Sequence, residues 1–179
     1  NWKRALGTPR EKWHDGEPFT AEDVRYSLDR IRLQPKGMRN SPGQENYAAV
    51  SKVEVVDDNT VRVTLKYPSA AFLAMAANGR DLIVPKHVLE AEGQMALTKK
   101  AVGTGPYKLK EYLRGISVEG VKNPDYFVPG RPYLDGYKFL IVSDSWARLA
   151  AVRTGQVQLL RESPGLLPSD AEILRRDAK

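Results

Sequence analysis

Side chains able to carry chemistry are sparse in this chain and poorly grouped. Cysteine is absent, which excludes disulfides, thiolate metal sites and cysteine nucleophiles. No G-x-S-x-G occurs, so a serine nucleophile has no strand-to-helix elbow to sit on. The two histidines, His14 and His87, lie far apart and outside any H-E-x-x-H, a poor pattern for zinc hydrolysis. Each is expected to be structural. Gly103-Thr104-Gly105 lacks the G-x-x-x-x-G-K-[ST] spacing and leads into a strand, so it is not read as a phosphate loop. Asp57 and Asp58 fall in a turn, where solvated carboxylates serve turn geometry. Tyr126, Phe127 and Tyr133 crowd one loop near Lys122, Arg131 and Lys138. A base-stacking platform needs such aromatics interleaved with a basic groove. Packing of the loop onto a sheet is the preferred expectation. No catalytic residue, metal site or cofactor is expected, and no nucleic-acid partner.

The elements that must position these residues can be read from periodicity. Thr20 is placed to N-cap a helix, with Asp23 at capping-box spacing and Phe19 and Val24 spaced as a hydrophobic staple. Val24, Leu28 and Ile31 then share one face. Gln34 to Gln44 has loop composition. From Ser51 to Lys66, valines alternate with charged residues around Asp57-Asp58-Asn59, which predicts a hairpin with one solvated side. Ser69 is placed to cap a short helix over 70–77, and Pro85 suits the first position of a helix ending near Glu92. Beyond Gly103–Pro106, 107–113 and 116–121 read as paired strands around Arg114-Gly115. Residues 123–133 form a loop, and 137–142 a strand. A helix over 145–154 is capped by Ser143 or Asp144 and stopped by Gly155. Val157–Leu160 reads as a further strand, and Ser169-Asp170-Ala171-Glu172 repeats the capping-box pattern before a last helix.

The class is therefore α+β, built from antiparallel hairpins and short helices, with its best boundary at Gly103–Pro106. Its 179 residues suffice for one domain or two small ones. Apolar content of 41% and charged content of 28% are ordinary for a soluble protein. The net charge of +6 is dispersed, with no run of five like charges, and reads as a solvated surface. No apolar run approaches the ~20 residues of a membrane span. No basic start precedes an apolar stretch, so a signal sequence is not expected within this chain.

The wording of three segments carries more than their physics. D-G-x-P-x-T-A-x-D-V-x-x-S-L from Asp15, G-T-G-P-Y from Gly103 to Tyr107, and N-P-D-Y followed by R-P-Y-L-D and A-R-L-A-A-V-R-T-G-Q-V from Asn123 onward occur in that order. Together they resemble the extracellular solute-binding proteins of family 5, which serve peptide, opine and nickel ABC importers. The resemblance implies a periplasmic binding protein type II-like fold. In that layout 1–104 is most of the peripheral domain of the first lobe, and 105–179 is an incomplete returning part of that lobe. The second lobe is absent from this chain.

It also implies a non-enzymatic substrate-binding component, periplasmic or extracellular and membrane-associated, that captures a small solute, foremost an oligopeptide. The solute is passed to ABC permease subunits. Two places in the covered part approach ligand in this family, around Tyr47 and at Asn78-Gly79-Arg80. Tyrosine offers a flat amphipathic surface, asparagine two donors and acceptors, and arginine a fork for a carboxylate. The bland alternative is an exposed Arg80 and a helix-ending Asn78. Gln158 departs from the acidic residue usual after Gly-x-Val. A solute-sensing or interaction module of a regulatory protein, or an inert truncated remnant, are the alternative readings.

Overall fold

In the computed structural model, residues 11–34, 44–77, 81–160, 172 and 174–176 are described. The helix expected after Thr20 runs Ala21–Leu33 (α1). Its start is held by a carboxylate that reaches backward. Asp23 accepts from the Thr20 backbone N–H at 3.0 Å and from the Thr20 hydroxyl at 3.2 Å. The Asp58 carbonyl accepts from Ala21 N–H at 2.8 Å, which ties a hairpin turn to the start of the helix. Acidic Glu22 and Asp23 open the helix and Arg30 and Arg32 close it, in the sense that favours the helix dipole. Along the exposed side, Arg25 pairs with Glu22 at 2.8 Å and with Asp29 at 3.5 Å, and Arg32 pairs with Asp29 at 2.7 Å.

The hairpin forms as predicted. Strands Val50–Asp57 (β1) and Thr60–Leu65 (β2) are antiparallel, with Val53 opposite Val63 and Val55 opposite Val61. Asn59 N–H donates to the Asp57 carboxylate at 2.9 Å, the local bond that favours aspartate in such turns. The first core lies between this hairpin and α1: Ile31, Tyr47, Val50, Val53 and Phe72 are buried together, with Leu28, Val61, Val63, Leu65 and Ala76 packed against them. The short helix is Phe72–Ala76 (α2), shorter than expected. Its N-cap is Ala71 with no side-chain cap, so Ser69 does not play that part. A five-residue helix is held by Phe72 in the core, with its first turn closed by backbone bonds.

The next helix is Lys86–Glu92 (α3), with Pro85 just outside it as N-cap rather than at its first position. Val88, Leu89 and Ala96 form a second core, against which Tyr26, Val84, Leu97 and Val102 pack. One helix, α1, thus serves both cores, with Leu28 and Ile31 toward the first and Tyr26 toward the second.

Beyond the glycine-rich crossing come Tyr107–Leu113 (β3), Ser117–Lys122 (β4) and Gly136–Leu140 (β5), in sheet order β3-β4-β5. Bonds from Lys122 N–H to the Asp135 carbonyl and from Ile141 N–H to the Ile116 carbonyl keep a constant residue sum, so β4 and β5 are antiparallel. Helix Ser145–Arg153 (α4) is capped by Asp144, which accepts from Ala147 N–H at 2.7 Å, and Gly155 follows it at φ +71°. The strand expected at Val157–Leu160 does not form. Leu159 is exposed there, and Val157 N–H closes back onto the Ala151 carbonyl of α4 instead of pairing with a strand. The expected cap at Ser169, Asp170 and Ala171 lies outside the described residues. The chain forms two units, Asn1–Leu109 with Val121–Gly136, and Lys110–Gly120 with Tyr137–Lys179. The antiparallel hairpins with short helices match the α+β expectation.

Candidate ligand-contact site

Two side chains of α1 set the position of the segment that precedes α3. Asp23 is 4% exposed, and its second carboxylate oxygen accepts from Lys86 N–H at 2.9 Å. One turn later the buried Ser27 hydroxyl donates to the Asp23 carbonyl at 2.7 Å and accepts from Val84 N–H at 2.8 Å. Two backbone amides of the incoming chain are thereby hung on one face of α1. Lys86 adds an ion pair with Glu22 at 3.2 Å. The Arg25 hydrogen bond, foremost, and that of Lys86 hold the Glu22 carboxyl below its usual range against a smaller opposing effect of desolvation. Sequence reading found Asp23 as a capping residue only and did not single out Ser27. The signal available was their i, i+4 spacing on the buried face.

With Val84 fixed there, Asp81 and Ile83 border a partly enclosed cavity of about 210 Å³. Its walls are apolar: Val24 and Leu28 from α1, Val61 and Val63 from β2, Phe72 and Ala76 from α2. Phe19 and Val24, the expected staple pair, both border it. Tyr47 closes one side. It ends the 3₁₀ turn Gln44–Tyr47, is only 2% exposed, and meets the Phe72 ring edge-on at 6.3 Å. Burial, and then the negative charge of Asp81 with its polar contact, push the Tyr47 hydroxyl up to about 12. That contact is loose, because neither Asp81 oxygen meets a donor in hydrogen-bonding geometry.

Of the residues singled out for ligand contact, Tyr47 is therefore buried and lines this cavity. Asn78, Gly79 and Arg80 lie outside the described residues, between Ala77 at the end of α2 and Asp81. Asp81 itself was not singled out from the sequence.

The histidines are anchors. His14 Nε2 donates to the Gly105 carbonyl at 3.0 Å while its Nδ1 accepts from Gly103 N–H at 3.3 Å, which selects the neutral ring protonated at Nε2. His14 N–H donates to the Gly103 carbonyl at 2.8 Å. The Gly103 N–H and the Gly103 and Gly105 carbonyls of the crossing are thus engaged with His14. His87 Nε2 lies 2.9 Å from an Asp15 carboxylate oxygen. Asn123, buried among polar partners, donates its side-chain amide to the Gly105 carbonyl at 3.0 Å and its backbone N–H to the Pro106 carbonyl at 2.8 Å. In the loop that follows, Tyr126 and Phe127 rings stand 4.7 Å apart and the Arg131 guanidinium lies 4.5 Å from the centre of the Tyr133 ring. Arg131 is therefore already placed over an aromatic face. Among the described residues, no group of three or more His, Asp or Glu side chains is arranged to hold a metal. None of their helices is long and apolar enough to cross a membrane.

Comparison with known proteins gives a consistent result. Residues 10–178 match the family model described as bacterial extracellular solute-binding proteins, family 5 Middle. A Brucella ovis protein whose name marks it as an ABC transporter peptide-binding protein is 35% identical over 153 residues, which cover 82% of this chain and 28% of the relative. The oligopeptide-binding protein AppA of Bacillus subtilis is 34% identical over 154 residues, 82% of this chain and 27% of AppA. The solved structure of the PBP AgaA of A. tumefaciens R10, in complex with agropinic acid, superposes with a TM-score of 0.74 at 34% identity. That match covers 82% of this chain and 29% of AgaA. The chain spans less than a third of the length of each of these proteins.

Proposed function

The chain belongs to family 5 of the bacterial extracellular solute-binding proteins, and on that premise we propose that it is part of the substrate-binding component of an ABC importer. Its role is capture of a small solute, an oligopeptide foremost, without chemical change, and delivery to permease subunits. The observation that carries this reading is the continuous family match over residues 10–178, together with relatives named for peptide binding. Within that reading, residues 1–104 form most of the peripheral domain of the first lobe and 105–179 the returning part. A periplasmic or extracellular, membrane-associated location follows from the same assignment.

Ligand contacts from this chain are assigned to Tyr47, Asn78, Gly79 and Arg80. The cavity supports this placing of Tyr47, because a tyrosine whose ring is packed on Phe72 presents its hydroxyl from a fixed position. Asp81, next in sequence to Arg80, borders that cavity together with Tyr47.

Calorimetric titration of the complete polypeptide with mixed di- to pentapeptides tests the reading, with saturable micromolar binding expected. Arg80→Ala should weaken binding by about 1–3 kcal/mol if the guanidinium meets a ligand carboxylate. Unchanged affinity removes Arg80 from the site, and the absence of binding by any peptide overturns the oligopeptide assignment.

A further inference from the structure

The cavity between α1, β2 and α2 is framed by bonds that lie outside it. At one end the Ala21 N–H donates to the Asp58 carbonyl at 2.8 Å and fixes the start of α1 against the hairpin turn. At the other, the Val84 and Lys86 amides are held by Ser27 and Asp23 at 2.8 and 2.9 Å, which sets the course of the neighbouring Ile83. On a third side the Tyr47 ring stands edge-on to Phe72 at 6.3 Å. A core space persists where its surroundings cannot relax into it. Here relaxation would have to break the ties between the hairpin, α1 and the segment before α3. Ala76 borders the space from α2, and its short side chain takes up little of it.

The walls decide what chemistry the space accepts. Val24, Leu28, Val61, Val63 and Phe72 offer no side-chain donor or acceptor. Asp81 is in the lining, but both of its carboxylate oxygens are closed off from solvent, and its contact is with the Tyr47 hydroxyl. Water is held in such a place only by several polar partners, and a charged group only by a counter-charge. Neither is presented. What remains favourable is the transfer of apolar surface out of water. The volume of about 210 Å³ exceeds the roughly 150 Å³ in which an apolar cavity takes up benzene. A single ring with a short alkyl branch matches it.

We propose that this cavity is a binding site for a small neutral apolar molecule, a ring bearing a short alkyl branch, and that it excludes charged compounds of the same shape. The site differs in chemistry from the polar contacts expected of an oligopeptide. The inference does not depend on the importer reading, and its test lets the two fail separately.

In the complete polypeptide at neutral pH, toluene and isopropylbenzene are titrated against the methyl resonances of Val24, Leu28, Val61 and Val63. Toluene should bind with a Kd of about 1 mM or tighter. Isopropylbenzene should bind about tenfold more tightly, because two further carbons leave water. Benzylammonium has the shape of toluene and a charge that these walls do not answer. It should leave the same methyl groups unmoved at about ten times the toluene concentration. Ala76→Leu should weaken isopropylbenzene about tenfold or more while the thermal midpoint holds or rises, since the added carbons take up the space. Val63→Leu fills it from β2 with the same expectation. No binding of either hydrocarbon, no gain from toluene to isopropylbenzene, or shifts confined to methyl groups outside the cavity overturns the proposal. So does benzylammonium binding as tightly as toluene, or hydrocarbon affinity unchanged in both filling variants. The titrations on the unsubstituted protein decide the matter even where Ala76→Leu does not fold. Hydrocarbon binding with no peptide bound leaves this inference standing and overturns the oligopeptide assignment, and peptide binding with no hydrocarbon bound does the reverse.

Discussion

Replacing Asp23 by alanine removes one carboxylate from three hydrogen bonds and tests whether α1 holds the chain before α3. The Thr20 N–H at 3.0 Å and the Lys86 N–H at 2.9 Å lose their acceptor, and so does the Thr20 hydroxyl at 3.2 Å. Loss of a capping interaction costs about 1 kcal/mol. A partly buried amide left unpaired adds about 1–2 kcal/mol, whereas the hydroxyl can rotate to water and adds little. The sum is a loss of about 2–3 kcal/mol. Asp23→Asn keeps the shape and one acceptor oxygen, so it should cost about half as much. Urea denaturation measures the difference as a shift in midpoint at unchanged slope. Amide hydrogen exchange then locates it, with protection lost first at Lys86 and Val84, whose N–H groups hang on α1. Ser27→Ala should expose the same segment. The double variant should cost less than the sum of the singles, because both side chains pin one stretch of chain. A loss under about 0.5 kcal/mol for Asp23→Ala, with exchange at Lys86 unchanged, refutes the assignment of Asp23 as the organising residue.

Tyr47 titrates near 12 in the folded chain and near 10.0 when unfolded, so the unfolded state releases its proton first. Stability is then complete below the lower value and falls as pH rises toward the upper one, by up to about 2–3 kcal/mol. Tyr47→Phe should flatten that alkaline limb, and an identical limb in both proteins contradicts the assignment. Asp15 is held below its ordinary carboxyl range: burial acts to raise it, but the His87 hydrogen bond and backbone donors together outweigh that effect. Its contribution is present above the ordinary value and lost as pH falls through the lowered one. In His87→Ala the Asp15 carboxyl should titrate higher by NMR, and an unmoved titration excludes His87 as its partner. A Cβ on Gly120 would stand 2.6 Å from the Tyr137 ring. Gly120→Ala should cost about 1–3 kcal/mol by thermal unfolding, with most of the loss recovered in a Tyr137→Leu background.

The elements legible in the sequence are those whose cause is local. Thr20 and Asp23 fix where α1 begins, and Asp57-Asp58-Asn59 fixes the turn of the first hairpin, so periodicity on either side only had to be continued. Gly155 likewise stops α4 where its φ of +71° requires a residue without a Cβ penalty. Val157–Leu160 shows the limit of that logic. An alternating stretch becomes a strand only when another strand pairs with it, and here Val157 closes onto α4. Ser69 failed as a cap for a related reason. The helix it was to start is anchored by Phe72 in the core, and the helix begins where that side chain can be buried.

The candidate site was legible in part, through Tyr47, because the family resemblance marks that region. Asp81 was hidden in plain view. Between Arg80 and Leu82 it reads as one more loop charge, and nothing in its neighbours announces burial. Its position follows from bonds made elsewhere: the Val84 and Lys86 amides hang on Ser27 and Asp23, and that turns the preceding residues under α1. Two carboxylates on one structural unit thus came out with opposite roles, although the sequence presents both as ordinary acids. Asp23 is saturated with donors and acts on the fold. Asp81 lies in the lining of the apolar cavity with both oxygens closed off from solvent, and its contact is with the Tyr47 hydroxyl. A buried acid whose donors are supplied by its own chain is a structural residue.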